Sequence, residues 1–157
     1  SIQQTSASIS CFLHRRISSR TRIRMNDPAS ITEKLLDRLA KEEYCYLTTT
    51  GRVTGNPHEI EIWFGLNDRT IYLLSEGRER SDWVKNLLKD PAVKVRIARR
   101  KFNGTARLVT DGQEETMARK MLATKYEQWR VGSSFSHWAR TALVVGIDLD
   151  SLANKKG

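Results

Sequence analysis

The residues best suited to chemistry in this chain are arginines placed around two glycine turns. In Ser75-Glu76-Gly77-Arg78-Glu79-Arg80-Ser81-Asp82-Trp83, an apolar run ends, a glycine permits a tight path, and two arginines precede a helix-forming stretch. Free N–H groups at a helix start, the helix dipole and guanidinium forks all favour an anion at such a place. A second basic turn, Gly51-Arg52-Val53-Thr54-Gly55, follows Thr48, Thr49 and Thr50, whose hydroxyls can donate. Two such turns on one rim would suit a phosphate. Equally, Arg78 and Arg80 could pair with Glu76, Glu79 or Asp82 as ordinary surface charges.

Other catalytic patterns are absent. There is no Gly-x-Ser-x-Gly elbow and no Gly-x-x-x-x-Gly-Lys phosphate loop. Cys11 and Cys45 form neither a disulfide framework nor a zinc set, so a reducing compartment, the cytoplasm, is the simplest expectation. His14, His58 and His137 make no ligand cluster, and no metal is expected. His58 beside Glu59 reads as strand-edge polarity, and Glu59 and Glu61 as a solvated strand face. Trp63 falls on that same polar face, where it could cover a planar ligand, cover a subunit interface or simply pack at the surface.

The elements that must position these residues follow from periodicity. Ser30-Ile31-Thr32-Glu33 reads as a capping box opening a helix to about Glu42, with Ile31, Leu35, Leu36 and Leu39 on one stripe. Six strands are expected, at 44–50, 59–64, 70–74, 93–97, 105–109 and 143–149, the first three as an antiparallel meander. Helices are expected over Ser81–Leu88 and about Gln113–Trp129, and Asn103-Gly104 reads as a hairpin turn. Short strands with peripheral helices predict a mostly β (α+β) fold, a six-stranded antiparallel split barrel.

The chain has 157 residues, enough for one domain, and a net charge of +9. Five arginines and no acid precede Met25, so more than half of that charge lies in a Ser/Arg-rich stretch without periodicity. Residues 1–24 are expected to be a disordered basic leader, from upstream translation or a transit peptide, and 25–157 the folded domain. No apolar run is long enough for a membrane span. Lys94, Arg96, Arg99, Arg100 and Lys101 could serve a polyanion-binding module, but a solvated edge strand is the preferred explanation, and nucleic acid is not the expected partner.

The run Leu47-Thr48-Thr49-Thr50-Gly51-Arg52-Val53-Thr54-Gly55-Asn56-Pro57-His58 resembles the signature of the deazaflavin-dependent nitroreductase family, among the pyridoxamine 5'-phosphate oxidase-like split barrels. The likeness continues through Trp63-Phe64, Leu73 to Gly77, Arg80 to Trp83, Asp90 to Val93, Gly104 to Arg107 and Lys125-Tyr126. It implies a homodimer that binds a reduced deazaflavin (coenzyme F-420) or FMN and passes hydride to a small planar acceptor such as a quinone or nitroaromatic. By position, Thr49, Thr50, Gly51, Arg52, Ser75, Gly77, Arg78, Arg80, Trp83 and Asn86 inherit cofactor contacts. Val53 stands where the family usually has Lys and His58 where it often has Arg. Glu76 stands where relatives carry Lys or Gly. All three weaken a polyanion grip and favour a less charged cofactor such as FMN. No catalytic side chain is nominated, because such a ring carries the hydride itself. A cofactor carrier or haem-binding split barrel is the non-catalytic alternative.

Overall fold

The computed structural model describes residues 32–152. The basic leader, Ser30 and Ile31 lie outside them. Helix α1 (Glu33–Leu39) is capped by Thr32, whose Oγ1 accepts from the Leu35 N–H at 3.1 Å. It stops three residues short of the expected Glu42. Beyond Leu39 no large apolar side chain remains to bury, and the chain closes with i→i−3 bonds from Lys41 and Glu42.

One antiparallel sheet contains seven strands, not six: β1 (Cys45–Thr50), β2 (Pro57–Ile62), β3 (Gly65–Asn67), β4 (Thr70–Ser75), β5 (Ala92–Ile97), β6 (Arg100–Leu108) and β7 (Leu143–Leu152). Their order is β2-β1-β5-β6-β7-β4-β3. Laid flat, its edge strands would stand roughly 29 Å apart. Yet Ile62 and Gly65 are three residues apart, a reach of about 11 Å. The sheet must therefore curl until its edges nearly meet, which makes it a split barrel.

The expected meander is broken at that corner. β1 pairs with β2, and β3 with β4, but β2 and β4 do not pair. The reason lies in Phe64, whose ring is buried and whose backbone groups are satisfied by side chains. The Tyr126 hydroxyl accepts from its N–H at 3.0 Å, and Lys125 Nζ donates to its carbonyl at 3.0 Å. With those groups satisfied, the corner needs no neighbouring strand.

Two further expectations are corrected. The β5–β6 turn is Ala98-Arg99, with Ala98 at φ 56°, while Asn103-Gly104 lies inside β6 at a register shift against β7. A Cβ on Gly104 would come within 2.7 Å of Ile147 Cγ2, so this glycine serves close strand approach, not a turn. β5 is an interior strand paired to β1 and β6, so its lysine and arginine do not blunt an edge.

The apolar alternation fills two layers. Inside the barrel, Leu47, Phe64, Ile71, Leu73, Val95, Phe102 and Ile147 are buried against Leu35 and Leu39 of α1 and Val84 and Leu87 of α2 (Asp82–Lys89). Outside, Tyr72, Leu74 and Val144 are covered by Ala118 and Leu122 of α3 (Gly112–Glu127), with Trp138 of α4 (His137–Thr141) packed alongside. Periodicity did not reveal the five-residue α4. The outer face of β1 and β5 carries Tyr46, Thr48, Lys94 and Arg96, while Arg107 at the far end of β6 meets α3 through Glu114.

Candidate functional site

The turn after β1 is stitched to α2 by one buried amide. Asn86 is 4% exposed; its Oδ1 accepts from the Arg52 N–H at 3.2 Å and from Arg52 Nη1 at 2.9 Å. Its Nδ2 donates to the equally buried Thr49 Oγ1 at 3.2 Å. Arg52 Nη2 reaches Asp82 Oδ1 at 3.2 Å, and Lys89 Nζ donates to the Arg52 carbonyl at 3.0 Å. Gly51 closes the turn onto Asn56, and a Cβ there would lie 2.7 Å from His58 Nε2, so a side chain would displace that ring. Thr50 ends β1 half-buried opposite Pro57.

The second turn leaves the end of β4. Ser75, 2% exposed, donates through Oγ to the Arg78 carbonyl at 3.0 Å and lies 2.8 Å from Ser81 Oγ. A Cβ on Gly77 would lie 2.6 Å from Ser81 Oγ and would turn that hydroxyl away from Ser75. Arg78 holds the left-handed φ of 54°, costly for a side-chain-bearing residue, and its Nη1 donates to the Thr141 carbonyl at 2.5 Å. Arg80 is exposed; its N–H donates to the Gly77 carbonyl at 3.0 Å, but its guanidinium makes no hydrogen bond or ion pair among the described residues. Trp83 packs half-buried against the barrel core.

The structure therefore brings the two turns together, and it divides the expected anion ligands into two kinds. Thr49, Ser75, Asn86, Arg52 and Arg78 are occupied with protein partners and build the frame. Arg80 is uncommitted. Ser81 precedes α2 without a side-chain cap, whereas Thr32, Asp111 and Ser136 cap the other described helices. Hence the N–H groups of Asp82, Trp83 and Val84 have no partner among the described residues. An arginine two residues before three free N–H groups is a combination that fits a phosphate. The Asp82 carboxylate competes at the same helix end, but its charge is offset by Arg52. The described residues contain no His/Cys/Asp/Glu group able to hold a metal, and no helix long and apolar enough to cross a membrane.

Next to this frame is a cavity that sequence reading had not defined. Its volume is about 340 Å³, and it is lined by Tyr44, Glu61, Ile62, Trp63, Leu74 and Trp138. Leu74 immediately precedes Ser75, so the cavity adjoins the start of the anion loop. Trp63 stacks on Tyr126 with centroids 4.3 Å apart and planes 2° from parallel, and meets Trp138 edge-on at 5.5 Å. The misplaced polarity of Trp63 was the one available signal. Trp138 sits on the short α4 and gave none. Behind the cluster, burial pushes the Tyr126 hydroxyl and the Cys45 thiol up to about 12, and brings the Lys125 ammonium down to about 8. Cys45 thus stays a protonated core residue.

A separate polar cluster anchors α3. Arg107 donates to Glu114 at 2.7 and 3.0 Å and to Asp148 at 2.8 Å, and the Tyr72 hydroxyl donates to Glu114 at 2.5 Å. Hydrogen bonds from Arg107 hold both carboxyls below their ordinary range. Burial and the Glu114 contact push the Tyr72 hydroxyl up to about 12.

Known proteins agree with this architecture. A 5-nitroimidazole antibiotic resistance protein, so named provisionally, from Bacteroides thetaiotaomicron superposes with TM-score 0.62 at 16% identity, covering 79% of this chain and 83% of that one. A provisionally named pyridoxamine 5'-phosphate oxidase from Listeria innocua gives 0.59 at 20% identity, covering 77% and 94%. An F420 reductase gives 0.56 at 13% identity, covering 78% and 98%. These likenesses show the split-barrel fold. No curated protein matches the chain. Residues 19–145 match one family along most of the chain's length, and the chain belongs to it: the F420H(2)-dependent quinone reductases.

Proposed function

We propose that this oxidoreductase binds a reduced deazaflavin by its phosphate at Arg80 and the start of α2, and delivers hydride to a quinone or nitroaromatic. The observation that carries the reading is the uncommitted Arg80 guanidinium two residues before the unpartnered N–H groups of α2, on a loop whose first residue, Ser75, follows the cavity-lining Leu74. The cofactor's ring, when bound, supplies the hydride chemistry. The protein's residues have other tasks. Arg80 and the Asp82–Val84 N–H groups hold the anion; Thr49, Asn86, Arg52 and Ser75 keep the two turns fixed. Trp63 and Trp138 exclude water beside them. No side chain is assigned a catalytic proton transfer.

FMN is the second reading, favoured by Val53, which is 87% exposed on the first turn and adds no charge to grip a polyanionic tail. A homodimer is proposed as well, through the outer face of β1, β5 and the first half of β6. Lys94 and Lys101 there, with Glu59 on neighbouring β2, offer charges that a two-fold axis could pair. That role accounts for the basic hairpin without nucleic acid.

The test is a fluorescence titration of cofactor-free protein with reduced deazaflavin and with FMN. Arg80→Ala should weaken the true cofactor by about ten- to a hundred-fold through loss of one charge-assisted contact, with little change in melting temperature. Binding of both cofactors at parental affinity would refute the assignment.

A further inference from the structure

The cavity beside the anion loop has chemistry of its own. Its walls are three aromatic residues, Tyr44, Trp63 and Trp138, with Ile62 and Leu74. One face of the Trp63 indole is taken by Tyr126, and Trp138 stands perpendicular to it. Trp63 is nevertheless 37% exposed and Tyr44 40%, in a protein whose large aromatics are otherwise mostly covered. A stack that ends on an exposed indole is completed by another flat ring. At about 340 Å³ the space lies at the low end of the roughly 300–1,000 Å³ typical of small-molecule sites, which suits one or two fused rings.

Only one charged residue lines this cavity, and it is an acid. Glu61 faces outward from β2, in register with Tyr46 of β1. It has no ion-pair partner among the described residues. Arg96, the nearest cation across β1, is spent elsewhere: its guanidinium lies 4.1 Å over the Tyr46 ring and 3.9 Å from Glu59. An uncompensated carboxylate on the wall of an aromatic pocket repels an anionic ring and tolerates a neutral or cationic one.

We infer that this cavity is the acceptor's ring pocket and that Glu61 sorts acceptors by charge, admitting neutral or cationic planar aromatics and rejecting sulfonated or carboxylated ones. The inference takes the acceptor from the proposed oxidoreductase reading, but ring binding and charge sorting belong to the cavity alone. A unit charge a few ångströms from a part-solvated carboxylate should shift affinity by roughly 5- to 50-fold, less at high salt.

The experiment uses cofactor-free protein and two matched probes, 1,4-naphthoquinone and 1,4-naphthoquinone-2-sulfonate, followed by quenching of tryptophan fluorescence. The neutral quinone should bind more tightly than the sulfonate by that factor. Glu61→Gln should close the gap, and Glu61→Lys should reverse it, while affinity for the neutral quinone changes less than about two-fold. Trp63→Phe and Trp138→Phe should each remove part of the quench. An unchanged gap in Glu61→Gln, or quenching indifferent to both tryptophans, overturns the inference. The same protein is then assayed for quinone reduction with reduced deazaflavin. Charge-sorted binding without turnover supports the pocket and refutes the oxidoreductase reading. Turnover without charge sorting refutes the pocket alone.

Discussion

Asn86→Ala tests the claim that one buried amide joins the two turns. The side chain is 4% exposed and makes three hydrogen bonds: from the Arg52 backbone, from the Arg52 guanidinium and to Thr49. Neutral bonds contribute about 0.5–1.5 kcal/mol each, and one to a charged group about 1.5–3. Arg52 is one-third exposed and keeps Asp82, so its bond counts near the lower limit. Thr49 is buried and would be left with an unsatisfied hydroxyl. The expected loss is about 2–4 kcal/mol, or roughly 6–15 °C in melting temperature for a domain of this size. Urea unfolding measures it directly. Asn86→Asp provides the control: it keeps the acceptor for Arg52 but removes the donor to Thr49, and should lose about half as much. Cofactor affinity should fall with Asn86→Ala because Arg52 is no longer fixed, in contrast to Arg80→Ala, which lowers affinity while sparing stability. A loss under about 1 kcal/mol for Asn86→Ala would mean that the turns are held by something else, and the division between frame and ligand would fail.

Two other predictions concern the frame. Glu114 and Asp148 titrate below their ordinary 4.5 and 3.8, so the unfolded chain binds more protons in that range. Their contribution is complete above those values and is lost as pH falls through the lowered ones. Arg107→Met should therefore cost about 1–3 kcal/mol at pH 7 by thermal or urea unfolding, and progressively less as the pH is lowered below 4.5 and 3.8; a cost that does not fall with pH in that range would contradict the pairing. Gly104→Ala should destabilise by about 1–3 kcal/mol, because its Cβ would crowd Ile147 Cγ2 at 2.7 Å and the Asp148 carbonyl at 3.0 Å; a neutral result in urea unfolding would mean that the β6–β7 contact yields easily.

What could be read from sequence follows from the range of the interactions involved. Alternation in Val93, Val95 and Ile97 or Leu143, Val145 and Ile147 is local, and it placed those strands without a structure. The corner at Trp63-Phe64 was not readable, because what breaks β2 is Lys125 and Tyr126, more than sixty residues away, supplying the bonds a strand would have supplied. Asn103-Gly104 misled for a related reason. Glycine permits both a turn and a close strand contact, and only the position of Ile147 decides between them. At the site, local spacing did pick out both glycine turns. It could not say that Arg52 and Arg78 would face protein acceptors while Arg80 would not, since Asn86, Asp82 and Thr141 become their partners only after the barrel curls. The free arginine is thus a property of the fold. An anion that binds there meets a donor set no other part of the frame requires, which is why Arg80 can change with little effect on stability and Asn86 cannot.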